Sequence, residues 1–168
     1  VVLEVLREES DWHWNSVVLC GPTGVGKSHL GVGVAEAARQ SRQANVREEN
    51  AVDFAADYAH AALAGTLAAF RSRYERLDLW VVDDLSELKG KPAAQEELAR
   101  LMDQLRSQGT RILLLTRAWP TTDEEFVASL ASRVWEGLPV LIQPPSREVR
   151  LALVEQFALE RGIPLSHA

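Results

Sequence analysis

The sequence predicts an α/β fold of three layers, with a mainly parallel five-stranded sheet between helices on both faces. Two features carry this. Short apolar runs recur along the 168 residues, most of them closed by Gly, Pro, Asp or other polar residues, and between them lie stretches whose apolar positions repeat at spacings of three and four. Strands that alternate with helices pair in parallel, because each crossover returns the chain to the same end of the sheet.

The first run, Val17, Val18, Leu19 and Cys20, is broken by Gly21-Pro22 and suits a strand covered on both faces. After Gly26 the pattern is helical, and Leu30, Val34, Ala37 and Ala38 form the face expected to pack on the sheet. A brief strand is expected around Val46. Asn50 can cap a helix with Phe54, Tyr58 and Ala61 or Ala62 along one side, and Gly65 separates it from a second helical segment, Thr66 to Arg76. Leu79 to Val82 is a buried strand ending in Asp83-Asp84. Pro92 opens a helix whose Leu98, Leu101, Met102 and Leu105 make one stripe, stopped by Gly109. Ile112 to Leu115 is the next strand, followed by the turn signal Trp119-Pro120. Leu138 to Ile142 reads as a further central strand, and Pro144-Pro145-Ser146 precede a last helix bearing Val149, Leu153 and Phe157.

With 46% hydrophobic and 25% charged residues, the chain can bury one ordinary core, so residues 1–168 are expected to form a single domain. No stretch approaches the roughly 18 unbroken apolar residues of a membrane helix, and the start lacks the order of a signal peptide. A cytoplasmic location without a membrane span is therefore expected. The chain starts without Met in an apolar segment (Val1, Val2, Val5, Leu6) and stops soon after Gly162-Ile163-Pro164, so it reads as a domain of a longer protein. Cys20 is the only cysteine, and His13, His29, His60 and His167 show no metal-ligand spacing. The net charge of −6 argues against this domain alone gripping a DNA backbone, an interaction that rests on Lys and Arg neutralising phosphates. Trp12, Trp14, Trp80, Trp119 and Trp135 are scattered and read as core or partner contacts rather than a base-stacking ladder.

The chemistry concentrates after the first strand. Gly21-Pro22-Thr23-Gly24-Val25-Gly26-Lys27-Ser28 fits G-x-x-x-x-G-K-[ST] between a predicted strand and a predicted helix, which marks a P-loop NTPase core. Its backbone N–H groups can turn inward around phosphates at a helix N-terminus, Lys27 can reach the β and γ phosphates, and the Ser28 hydroxyl can meet Mg²⁺. ATP or ADP with Mg²⁺ is the expected cofactor, with His29 closing the nucleotide-binding set. Asp83, at the carboxyl end of a buried strand, is the second candidate Mg²⁺ ligand, and Asp84 the candidate that polarises the attacking water. Acidic residues at that place also end strands and cap helices; beside a phosphate loop the Mg²⁺ reading is preferred. Arg133, in Ser132-Arg133-Val134-Trp135, is expected after a polar helix and before the last strand. It is either a solvated surface residue or, in an oligomer, an arginine finger acting in trans.

In this order the motifs resemble the AAA+ ATPase domain of the DnaA family of bacterial chromosomal replication initiators, and the resemblance covers nearly the whole chain. It is carried by Gly26-Lys27-Ser28-His29-Leu30, Phe54 to Phe70 with Arg71 and Tyr74, Asp78-Leu79 leading to Asp83-Asp84, and Gly90-Lys91 before Gln95-Glu96-Glu97. Ser132-Arg133 before Gly137-Leu138 and the run Ile142-Gln143-Pro144-Pro145 before Glu148 and Arg150-Leu151-Ala152 complete it. The resemblance implies an ATP-switched core that self-associates into an oligomer or filament on origin DNA, a weak Mg²⁺-dependent ATPase whose hydrolysis resets the assembly, and contacts with a replicative helicase or regulators. It also implies a helical lid and a DNA-binding domain beyond Ala168. A related regulator or helicase loader, similar to Hda or DnaC and acting through protein contacts, is the alternative. The sequence departs from the family at positions resembling DNA contacts, where Ala59, Ala93 and Ala94 stand beside a retained Lys91. It also departs at a sensor position, where Arg117 replaces an acidic residue, and at Ser129, which stands where a second arginine is usual.

Overall fold

A computed structural model of the chain describes residues 16–120 and 125–163. The expectations at Val1 to Leu6, Trp12, His13, Trp14, Pro164 and His167 lie outside the described residues. The strands are β1 (Ser16–Cys20), β2 (Val46–Asn50), β3 (Leu79–Asp83), β4 (Arg111–Thr116) and β5 (Leu138–Leu141). The helices are α1 (Lys27–Arg42), α2 (Ala51–Leu63), α3 (Leu67–Ser72), α4 (Pro92–Ser107), α5 (Ala128–Trp135) and α6 (Arg147–Glu160), with a 3₁₀ turn at Leu85–Leu88. One parallel sheet in the order β2-β3-β4-β1-β5 joins all five strands.

Alternation along the strands sorts their side chains into two cores. Val17, Leu19, Leu79, Val81, Leu113 and Leu115 meet Val34 and Ala35 of α1 on one face. Val18, Trp80, Val82, Ile112 and Leu114 meet α2 to α5 on the other. Successive side chains of a strand point to opposite faces, so a continuous apolar run serves both layers, as expected for a sheet covered on both sides. The stripe Leu98, Leu101, Met102 and Leu105 is wholly buried, and Asn50 Oδ1 accepts from Val52 N to cap α2 as the sequence suggests.

Two expectations are corrected. The helix α1 turns Gly31, Val34 and Ala35 to the sheet, while Leu30 is 38% exposed. The helix approaches through Gly31, against Leu115 and Val81, and this rotates Leu30 off the contact. Among the described residues, Leu138 to Leu141 is an edge strand rather than a central one: it pairs only with β1 and half of its side chains face solvent. Pro139, which has no N–H to give, suits an edge. The residues Val149, Leu153 and Phe157 of α6 are all at least 40% exposed, so that stripe is not packed against the described sheet.

An aromatic cluster fills the face under α2. Phe54 contacts Phe70, Tyr74 and Trp80 at ring-centroid distances of 5.6, 6.2 and 6.1 Å, and Tyr74 meets Trp80 at 5.1 Å. Its polar atoms converge on Glu49, which accepts from Trp80 Nε1 at 2.6 Å, from Tyr74 Oη at 3.1 Å and from both Nε and Nη2 of Arg47. Burial and the Glu49 charge push the Tyr74 phenol well above its usual range, so it stays a donor. Among the described tryptophans, Trp80 is the one wholly buried in the core, whereas Trp119 and Trp135 stack at 5.1 Å with Trp135 58% exposed.

Glu97 in α4 is buried between Arg71 and Arg100, with hydrogen bonds of 2.8 Å from Arg71 and 2.6 and 3.2 Å from Arg100. Burial alone would raise its carboxyl. The hydrogen bonds and charges of the two guanidinium groups outweigh burial and lower it from 4.5 to about 2. Because the folded value lies below the unfolded one, the network stabilises fully above about pH 4.5 and is lost as pH falls through about 2. Denaturation midpoints measured against pH should therefore fall over this window, and Glu97→Gln should flatten that part of the profile while lowering stability at pH 7.

Candidate functional site

Parallel pairing brings the carboxyl ends of β1, β2, β3 and β4 to one edge of the sheet, where ligands of open α/β sheets bind. A cleft of about 370 Å³ opens there, lined by Thr23, Gly24, Gly26, Lys27, Ser28 and His29 after β1, Asn50 at the end of β2, Asp83 and Asp84 at the end of β3, and Arg117 after β4. Every one of the four strand ends contributes.

The loop is shaped by its backbone. Gly21 N donates to Thr116 O at 3.2 Å, and Ile142 N donates to Cys20 O at 2.7 Å, tying the loop to the strands on either side. A Cβ at Gly21 would lie 2.3 Å from Ile142 O, so only glycine fits. Gly26 takes φ +94°, a left-handed conformation that costs glycine little, and from it the chain enters α1, whose first residues, Lys27 to His29, line the cleft. The buried Lys27 ammonium donates to Gly21 O at 2.7 Å and Pro22 O at 2.9 Å, folding back over its own loop. Gly21, Pro22 and Val25 build the loop without lining the cleft. Burial pushes the Cys20 thiol up, against the pull of the Lys27 charge, so it remains protonated and unreactive.

Across the cleft, Asp83 Oδ1 accepts from Asp84 N at 2.7 Å, and Asp84 sits in the left-handed region at φ 52°. Its carboxylate receives Arg117 Nε at 3.0 Å, while Arg117 Nη2 donates to Glu87. The segment bearing Arg117 is anchored by hydroxyls. Thr116 Oγ1 donates to Ala118 O at 2.6 Å, Ser86 Oγ lies 3.2 Å from Thr116 Oγ1, and Arg117 N donates to Ser86 Oγ at 3.3 Å. No cluster of three or more His, Cys, Asp or Glu side chains able to hold a metal occurs among the described residues. The Ser28 hydroxyl and Asp83 carboxylate instead line the same cleft, a sparse oxygen set that fits Mg²⁺, which keeps most of its water when bound beside phosphates.

A family model for the bacterial DnaA ATPase domain matches residues 1–141. The chain belongs to that family. The chromosomal replication initiator protein DnaA of Acinetobacter baylyi is 32% identical over 163 residues, which cover 96% of this chain and 35% of that protein. Domain III of the Thermotoga maritima replication initiation protein DnaA superposes with a TM-score of 0.90 at 26% identity, over 98% of this chain and 69% of that one. A replication initiator DnaA bound to AMPPCP and single-stranded DNA gives a TM-score of 0.82 at 25% identity, over 92% of this chain and 49% of that one. The chain thus spans about a third of the length of the curated DnaA proteins it matches.

Within the DnaA frame, the structure separates the expected site residues into two groups. Lys27, Ser28, His29, Asp83 and Asp84 share the cleft. Arg133 does not line it. Rather than following a helix, Arg133 lies inside α5, where its guanidinium holds Asp103 of α4 at 2.8 to 3.1 Å and Ser129 O at 3.0 Å. Among the positions resembling DnaA contacts with DNA, Ala59 and Ala93 are exposed but Ala94 is buried. Asn50 was not singled out as a cleft residue by the sequence, although the end of a strand neighbouring Asp83 is a signal that could have found it; the register pairs Asn50 with Asp83.

Proposed function

We propose that residues 1–168 form the ATP-binding core of a DnaA-like replication initiator, a nucleotide switch that assembles in its ATP state on DNA. The observation that carries this is the convergence of the phosphate loop, Ser28, Asp83 and Asp84 on one cleft at the carboxyl edge of the sheet. In this reading the loop N–H groups and Lys27 hold the phosphates of ATP or ADP, and Ser28 and Asp83 hold Mg²⁺. The metal supplies neutralisation of charge on the phosphates. Asp84 orients and polarises the attacking water, provided its carboxylate is released from Arg117.

In this reading Arg133, which does not line the cleft of its own chain, acts on a neighbouring copy. Reaching a neighbour's terminal phosphate requires opening its pair with Asp103, an exposed contact of the kind that contributes little in water. Sedimentation of the chain with Mg²⁺ and ATP, ADP or no nucleotide tests this: assembly is expected with ATP alone. Arg133→Ala should bind ATP as well as the unchanged chain yet fail to assemble; assembly of Arg133→Ala equal to that of the unchanged chain would remove the in-trans role.

A second reading, a DnaA-related regulator or helicase loader working through protein contacts, is favoured by one observation. The exposed Ala59 and Ala93 offer no charge or hydrogen bond to a nucleic acid, and the chain carries a net charge of −6. Titration with a single-stranded oligonucleotide over a salt series separates the two, because phosphate contacts give affinity that falls steeply with salt. ATP-dependent, salt-sensitive binding supports the initiator; nucleotide binding with no response to DNA supports the regulator.

A further inference from the structure

We infer that the stacked pair of Trp119 and Trp135 is a joint that fixes the roll of α5, and through it the aim of Arg133 at a second copy of the chain. The inference rests on the reading of Arg133 as a residue that acts in trans. Arg133 and Trp135 both stand in the last turn of α5, on either side of Val134, which is wholly buried. Each residue turns a helix by about 100°, so with Val134 against the core its two neighbours point to opposite flanks. The contacts agree. Arg133 reaches Asp103 of α4, whereas Trp135 lies against Trp119 with ring centroids 5.1 Å and planes 25° apart, and its Nε1 donates to Pro120 O at 3.0 Å.

The two flanks are held unequally. The pair of Arg133 with Asp103 is exposed, weakly held in water, and has to open before the guanidinium can reach a neighbour. The other flank carries a ring stack and a directed hydrogen bond, and the partners there are themselves seated. Trp119 packs against the core shared by α2 to α5, Pro120 is buried, and the Thr116 hydroxyl holds Ala118 O just before them. When Arg133 lets go of Asp103, the joint still resists rotation of the last turn. Trp135 is 58% exposed, so it gains less from burial than Trp80 does; what it gains is direction, from ring overlap and one hydrogen bond.

The joint also ties together two places that an assembly must keep in register. The segment leaving β4 lines the cleft with Arg117 and, two residues on, seats the helix that carries Arg133. A copy that offers its cleft to one neighbour and Arg133 to the other makes a head-to-tail contact, in which the offset between the two is repeated from copy to copy. Neither Trp119 nor Trp135 lines the cleft, so loosening the joint should cost assembly and spare nucleotide affinity.

Sedimentation with Mg²⁺ and ATP, calorimetric nucleotide titration and hydrogen exchange of the unassembled chain test the inference on the unchanged chain, Trp119→Ala, Trp135→Ala, the double variant and Trp135→Phe, with thermal melts to confirm folding. Each alanine variant should raise the concentration at half assembly by about threefold to tenfold, the scale of one aromatic pair, and change nucleotide affinity by less than about twofold. Each should also speed amide exchange in the last turn of α5. The double variant should lose no more than either single one, because both remove the same contact. Trp135→Phe, which keeps a stacking ring, should recover most of the loss. Assembly of Trp119→Ala equal to that of the unchanged chain would mean that Trp135 meets the second copy directly. That result, additive losses in the double variant, or unchanged exchange in the last turn of α5 would overturn the inference while leaving the role of Arg133 intact. If the unchanged chain does not assemble, or Arg133→Ala assembles as well as it does, the in-trans reading itself fails and the aim of Arg133 falls with it.

Discussion

Lys27→Ala should abolish most nucleotide binding. The side chain is the cation seated on the phosphate loop, and removing it takes away hydrogen bonds to charged phosphate oxygens, each worth roughly 1.5–3 kcal/mol. The affinity for ATP should fall by roughly tenfold to a hundredfold or more, and that for ADP should fall with it, because the loop serves both. Calorimetry with each nucleotide reads the effect directly. The same truncation removes the donor to Gly21 O and Pro22 O within the loop, so melting temperatures without nucleotide separate any loss of support for the loop from the loss of phosphate contacts. A variant that melts as the unchanged chain does and still binds ATP tightly would mean that the cleft does not work as a phosphate site.

The largest effect on stability should come from Trp80→Ala. Trp80 is wholly buried at the centre of the aromatic cluster, touching Phe54 and Tyr74, and its Nε1 is one of the donors that satisfy Glu49. Truncating such a residue costs about 3–5 kcal/mol, through lost burial and the cavity left behind. For a domain of this size the melting temperature should drop by roughly 6–20 °C. Trp80→Phe keeps most of the volume and loses the hydrogen bond to Glu49, so the difference between the two variants, measured by thermal melts, divides packing from polar satisfaction. Near-identical melting of Trp80→Ala and the unchanged chain would contradict the core described above.

Much of this was legible in the sequence because the signals are local. Although the fit of Gly21 against Ile142 O is a contact the pattern does not reveal, the run Val17 to Cys20 followed by glycines and Gly26-Lys27-Ser28 encodes strand, turn and helix within a dozen residues. The same holds for Asn50 as a cap, Pro92 as a helix start and the stripe of α4. What depended on distant partners was hidden. Whether Leu138 to Leu141 lies at the centre or the edge is decided by which strand adds beside β1, and its apolar composition is the same in either case. The face that α1 buries is set by how closely Gly31 lets it approach Leu115 and Val81, and periodicity alone placed Leu30 on the wrong side. Arg117 showed in the sequence only as a departure from a family pattern. That it reaches Asp84 and Glu87, 33 and 30 positions earlier in the chain, follows from the adjacency of β3 and β4. Arg133 stood out in the sequence as a candidate, but its engagement with Asp103 depends on α4 and α5 packing together.

The ties on either side of Gly21 pin the entry of the phosphate loop. Gly21 N is held to Thr116 O, the preceding Cys20 O to Ile142 N, and the space beside Gly21 is filled by the Ile142 carbonyl. An entry set in place in this way has little entropy left to lose when phosphate arrives, so less binding energy is drained by ordering that part of the loop. The same two ties join the loop to β4 on one flank and to the chain leaving β5 on the other, so a displacement at Gly21 is passed directly to both neighbours.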